Sequence, residues 1–149
     1  MKVSVSLLNQ EPEEKEFNKL LQKNPRTIIY FYPKDDTPGC TIEAKDFSDT
    51  YIEFMQHHIS VYGISKDPDK AHCNFISKHG LSIPLISDPE LILHKKFGAW
   101  GEKNMYGKKI QGTIRSTFLL DQKGKIIKQW NNVKAKGHVE NIMKELKLQ

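Results

Sequence analysis

Cysteine is scarce in this chain, with two among 149 residues. Two thiols cannot build a disulfide scaffold or a four-cysteine zinc site. Such staples are not needed at this length. One domain of ~100–200 residues buries roughly 68–70% of its unfolded surface unaided. Long apolar runs are missing as well. None approaches the ~20 residues of a membrane span. The start, Met1-Lys2-Val3-Ser4-Val5-Ser6, holds one Lys and no apolar stretch of the secretory kind. Arginine is also rare. Residues 76–149 carry 14 Lys/Arg against 6 Asp/Glu, a balance of +8, and only one of the 14 is Arg. Residues 1–75 carry 9 against 12, a balance of −3. Readers of phosphates and bases lean on Arg, so the basic half reads as a solvated lysine surface. No nucleic acid and no membrane are expected as partners. Hydrophobic residues at 38% and charged residues at 28% exclude disorder, collagen and coiled coil.

What is present alternates between strand and helix. Val3, Val5 and Leu7 predict a short edge strand. Pro12 with Glu13, Glu14 and Glu16 marks a first helical turn, and Phe17, Leu20 and Leu21 give its apolar face. Thr27 to Tyr32 is a β-rich run of the kind buried at the centre of a sheet. Pro33 to Gly39 is a loop. A helix follows from about Cys40 to His57, with Phe47, Tyr51 and Phe54 on one face. Ile59 to Ile64 is a strand. Asp67-Pro68 and Asp88-Pro89 each predict an Asp N-cap with Pro at the first helical position. The first helix ends near His79-Gly80 and the second near Phe97-Gly98. Residues 99–112 show no period and read as a loop. Thr113 to Leu120 and Lys125 to Trp130 form a hairpin around Asp121-Gln122-Lys123-Gly124. Gly137 to Leu148 is a closing helix. The fold class is α/β, a sandwich with a mixed sheet and helices on both faces.

The informative segment runs from Tyr30 to Glu43. It delivers Cys40 to the first turn of a helix. Thiols at such positions face free backbone N–H groups and the positive dipole end, which favour thiolate. Thr37 stands three residues earlier, where its hydroxyl points into the same turn. Pro33 and Pro38 stiffen the loop. From spacing alone two readings stand side by side: a reactive thiolate, or a small buried hydrophobe at a helix start.

Pro33-Lys34-Asp35-Asp36-Thr37-Pro38-Gly39-Cys40 resembles the peroxiredoxin signature. The longer run from Phe31 to Thr41 resembles the bacterioferritin-comigratory-protein, or peroxiredoxin Q, subfamily. Gly63 to Asp67, Leu85 to Asp88, Phe97 to Lys103 and Ile114 to Asp121 agree with it. The resemblance extends from about residue 3 to the C-terminus. It implies one thioredoxin-like domain over 1–149 and a peroxidase without metal, haem or flavin. The substrates would be hydrogen peroxide and organic hydroperoxides. Cys40 would attack the peroxide and become sulfenic acid. Arg115 would hold the thiolate and polarise the peroxide. Thr37 would hydrogen-bond both, Pro33 would shield the site, and the Cys40 N–H would complete the donor set. A cytoplasmic monomer recycled by thioredoxin or a similar dithiol is expected.

The chain departs from that pattern at one place. Many subfamily members carry a resolving Cys five residues after the first, where this chain has Lys45. Others resolve from the next helix, at a position that here is Ile76. The second thiol, Cys73, lies 33 residues after Cys40 and three before Ile76, on the same helix face. Two mechanisms remain open. In one, Cys40 condenses with Cys73 within one chain, after the first turn of its helix unwinds to bring the Cα atoms within roughly 7 Å. In the other, an external thiol resolves Cys40. Two wider alternatives are a thiol–disulfide oxidoreductase, against which the missing C-x-x-C counts, and a non-catalytic basic binding protein. His72, Cys73 and His79 fit no zinc spacing. His57-His58 suits a helix C-terminus. His94 and His138 read as surface or helix positions without a constellation. Trp100 and Trp130 read as packing residues.

Overall fold

The computed structural model describes residues 13–105 and 107–147. The strand expected at Val3, Val5 and Leu7, and Pro12, lie outside the described residues. Five strands form a mixed sheet in the order β3-β2-β1-β6-β7, as the sequence predicts in class. At its centre is β1 (Arg26–Phe31), parallel to β2 (Ile59–Ser65) and antiparallel to β6 (Ser116–Asp121). On the flanks, β3 (Leu85–Ser87) runs parallel to β2, and β7 (Ile126–Trp130) antiparallel to β6.

Side chains of β1 alternate between two cores, which is why the run is apolar throughout. Ile28 and Tyr30 join Phe47 and Phe54 of α2 (Pro38–Gln56), Phe75 of α3 (Asp69–His79) and Val139 and Ile142 of α5 (His138–Glu145). Ile29 and Phe31 join Phe17 and Leu21 of α1 (Glu13–Leu21) and Leu93 of α4 (Ile92–Lys96). Tyr30 stacks on Phe47 at 4.4 Å between centroids and thereby seats α2 on the sheet. Gly63 of β2 makes this fit possible. A Cβ there would stand 2.8 Å from the Tyr30 ring and from Leu85.

Several local expectations are corrected. Pro68 rather than Asp67 occupies the N-cap of α3, and the helix stops at Gly80 in the left-handed region (φ 60°). The Asp67 carboxylate instead accepts from the Asp35 N–H at 2.9 Å and the Ser65 hydroxyl at 2.7 Å. After Asp88-Pro89 the chain turns, with Leu91 at φ 63°, before the five-residue α4 begins. Asp88 still caps that helix, from further back. Its carboxylate accepts the N–H groups of Leu93 and His94.

Residues 99–112 are not a loop. They contain β4 (Trp100–Met105) and most of β5 (Lys108–Thr113), an antiparallel pair turning at Gly107 (φ 78°). Residues 108–111 of β5 are exposed, so no apolar alternation marks them in the sequence. Nor is Thr113–Leu120 one strand. It breaks at Ile114-Arg115, where Ile114 N–H donates to Ala99 O and Arg115 O accepts from Val133 N–H. Among the described residues, no helix is long and apolar enough to cross a membrane.

Candidate active site

The strand β1 ends at Phe31, and after six intervening residues α2 begins. Pro38 opens the helix, and its first intrahelical bond is Thr41 N–H to Thr37 O at 2.8 Å. Cys40 therefore sits in the first turn, where backbone N–H groups have no acceptor within the helix. The sulfur is buried.

Arg115 reaches it from the break between β5 and β6. Its Nη2 donates to Cys40 Sγ at 3.2 Å and its Nη1 to Glu43 Oε1 at 2.5 Å. Gly39 leaves room for this, since a Cβ there would stand 3.4 Å from Nη2. Burial works against the Arg115 charge, but Glu43 and Cys40 beside it raise its pKa. Pro33 and Arg115 line a cavity of about 250 Å3, together with Ile114, Val133 and Lys103.

Thr37 differs from expectation. Its hydroxyl donates to Lys34 O at 2.8 Å rather than to the sulfur, because the loop turns back at Asp36 (φ 59°). Two oxygen lone pairs remain free of that bond, so Thr37 Oγ1 can still accept a hydrogen bond.

Glu43 is the site residue that motif reading missed. It is wholly buried, and its Oε2 has no hydrogen-bond partner. Burial pushes its pKa from 4.5 up to about 7, with Arg115 opposing. The available signal was position: Glu43 is three residues after Cys40, on the same helix face.

An acid bound more tightly to its proton when folded loses stability as pH rises. For Glu43 that loss runs from the ordinary value of 4.5 to about 7 and amounts to about 3 kcal/mol. His138 has the opposite sign. Burial, then Arg115, lowers its pKa from 6.5 to about 4, so its contribution grows as pH rises through that window. The two slopes oppose each other between about 4.5 and 6.5. Urea unfolding of wild type and Glu43→Gln across this range checks the assignment. The variant should gain stability relative to wild type as pH rises. A constant difference would show that Glu43 does not titrate there.

His94 and His138 lie on helices, one of the two positions the sequence offers, but they are buried rather than at the surface. Buried His138 shares a 2.7 Å hydrogen bond with Thr117 Oγ1. Buried His94 bridges Asp88 Oδ2 (2.7 Å) and Thr113 Oγ1 (3.0 Å). Buried His72 lies 2.6 Å from Asp35 Oδ2 through Nδ1 and donates through Nε2 to Ile86 O at 3.1 Å. His57 Nδ1 contacts Glu53 O at the end of α2, as expected of a C-terminal histidine. Trp130 donates to Glu145 Oε2 at 2.7 Å, and the Lys66 ammonium lies over Trp100.

Cys73 is half-buried on α3, next to His72, and both cysteines are free thiols. The loop before Cys40 is thus joined to the helix that bears Cys73. A second clamp adds to it, from Lys78 Nζ and His79 Nε2 to Asp36, each at 2.7 Å.

A family model described as AhpC/TSA family matches residues 2–129. Peroxiredoxin Bcp of Xanthomonas campestris pv. campestris is 45% identical over 120 residues, 80% of this chain and 75% of that protein. The chain is a peroxiredoxin of the AhpC/TSA family. Peroxiredoxin Bcp of Bacillus subtilis is 42% identical over 125 residues, covering 84% of this peroxiredoxin and 80% of the relative. A solved structure of the Xanthomonas campestris bacterioferritin comigratory protein, described for alkyl peroxide reduction, superposes with a TM-score of 0.77 at 43% identity. It covers 83% of this peroxiredoxin and 79% of that chain. The mixed sheet and its helices match that thioredoxin-like architecture.

Proposed function

We propose that this peroxiredoxin reduces hydrogen peroxide and organic hydroperoxides through Cys40. The observation that carries the reading is Arg115 Nη2 at 3.2 Å from the buried Cys40 sulfur, beside an open cavity. The thiolate is the nucleophilic form of cysteine. It attacks the distal peroxide oxygen, the O–O bond breaks, and Cys40 becomes sulfenic acid while water or alcohol leaves with a proton. Arg115 supplies fixed donors to the sulfur and the peroxide oxygen. The Cys40 N–H adds a further donor, and Thr37 Oγ1 accepts the peroxide hydrogen. Pro33 walls the cavity without an N–H of its own.

Resolution is by Cys73. Its thiol condenses with the sulfenic acid, releasing water and leaving a disulfide. The buried Cys40 side chain then requires the first turn of α2 to unwind. Thioredoxin or a similar dithiol reduces the disulfide, which suits a monomer, one domain over 1–149, in the reducing cytosol.

One equivalent of hydrogen peroxide on the fully reduced protein tests this. Loss of both thiols and of two hydrogens by intact mass, in a monomer, is the expected result. Loss of one thiol with gain of one oxygen assigns resolution to an external thiol, as would a Cys73→Ser protein that cycles at full rate. Survival of both thiols would overturn the peroxidase reading.

A further inference from the structure

We infer that His94 is a positioning residue for Arg115: its ring and its backbone together fix the break between β5 and β6 that turns the guanidinium onto Cys40. The inference rests on the peroxidase reading above and adds a residue to that same site.

Pairing of β5 stops at Thr113, opposite Trp100, and β6 begins at Ser116. Arg115 lies between the two strands, so its direction depends on how Thr113 and Ile114 are held. His94 holds both. Its Nε2 lies 3.0 Å from Thr113 Oγ1. Its carbonyl accepts the Ala99 N–H at 2.8 Å, and the Ala99 carbonyl accepts the Ile114 N–H at 2.8 Å.

Asp88 fixes the far side of the His94 ring. Its Oδ1 accepts the Leu93 N–H at 3.2 Å, and its Oδ2 accepts the His94 N–H at 2.8 Å. Oδ2 also lies 2.7 Å from His94 Nδ1, which therefore carries the hydrogen. In the neutral ring Nε2 is then the acceptor, and the Thr113 hydroxyl donates to it. Every member is buried, with His94 0%, Asp88 1% and Thr113 3% exposed. Apolar side chains would fill this volume with less desolvation. The polar chain adds direction, because a hydrogen bond weakens steeply as its angle closes.

The same imidazole touches the other half of the site. Its ring meets that of Phe31 edge-on, with 4.9 Å between centroids. Phe31 ends β1 and leads into the loop before Cys40. One side chain thus aligns the strand behind the thiol with the segment behind the arginine. Donors must be held to a fraction of an ångström at a reacting centre, and this alignment supplies that precision.

Single-turnover oxidation of Cys40 by hydrogen peroxide in paired variants tests the inference. Thr113→Val keeps the shape and removes the hydroxyl, whereas Thr113→Ser keeps the hydroxyl. His94→Leu removes both polar contacts of the ring, whereas His94→Gln keeps an acceptor for Thr113. Thr113→Val and His94→Leu should each slow oxidation about tenfold, and the two conservative variants should keep most of the rate. The same changes are then made in Arg115→Met. There they should still lower stability in urea titrations but slow oxidation no further. Wild-type rates in Thr113→Val and His94→Leu would overturn the inference and leave the peroxidase reading standing. So would a further tenfold loss in the Arg115→Met background, since that effect does not pass through Arg115. If His94→Leu fails to fold, Thr113→Val and its serine control decide alone. A wild-type Cys40 that resists peroxide would overturn the peroxidase reading and this inference with it.

Discussion

Replacing Arg115 by Met should slow the oxidation of Cys40 by hydrogen peroxide by about 10²–10³-fold, the usual worth of a preorganised donor at a reacting centre. Arg115 performs two tasks with one rigid fork. Nη2 meets the Cys40 sulfur and Nη1 meets Glu43. Met preserves much of the volume and removes both. Lys keeps a charge but cannot serve two partners along the fixed directions of a guanidinium. Arg115→Lys should therefore lose nearly as much rate as Arg115→Met. The measurement is the second-order rate constant for thiol loss under single turnover. A structural explanation is tested separately. Removing Arg115 leaves the buried Glu43 carboxyl without its hydrogen-bond partner, which destabilises the chain. The double variant Arg115→Met/Glu43→Gln removes that penalty and should recover stability without recovering rate. If Arg115→Met stays within tenfold of wild type, the residue does not stabilise the transition state.

The sequence made some parts of this site legible and hid others for physical reasons. The strand–loop–helix order around Cys40 follows from local pattern, because β1 is apolar on both faces and a turn-rich run follows it, although the helix opens at Pro38, two residues before the expected Cys40. Arg115 became visible only through the resemblance of its surroundings to a family. Alternation there predicts one continuous strand, whereas the break at Ile114-Arg115 is what turns the side chain toward Cys40. Glu43 stayed hidden because an acid on a helix usually faces water, and its burial depends on an arginine 72 residues away. The three buried histidines share that difficulty. His72 finds Asp35 across 37 residues and His138 finds Thr117 across 21. Polar pairs of this kind leave no periodic trace. The exposed β4–β5 pair leaves none either, since no apolar face marks its outer half.

The other large effect lies away from the sulfur. His72→Leu should lower the unfolding free energy by roughly 3–5 kcal/mol, as expected when one partner of a buried pair is removed. Asp35 is nearly inaccessible, with Oδ1 receiving the Tyr32 hydroxyl at 2.6 Å and Oδ2 facing His72 Nδ1 at 2.6 Å. The Ile86 carbonyl only accepts, so His72 Nε2 carries a hydrogen toward it. One ring therefore joins the Cys40 loop, α3 and β3. Leu fits the space but leaves the Asp35 carboxylate without this partner and Ile86 O without a donor. The outer clamp makes an internal control. Lys78 and Asp36 are exposed, and such pairs contribute about 0–1 kcal/mol. Lys78→Ala should therefore change little. In Asp35→Asn/His72→Leu the stranded charge is gone, so the double variant should lose less than the two single variants added together. Urea titrations with matched m-values decide the matter. Additive losses, or a His72→Leu cost no larger than that of Lys78→Ala, would mean that the loop before Cys40 is held by packing of Tyr32 and Phe75 rather than by the Asp35–His72 pair.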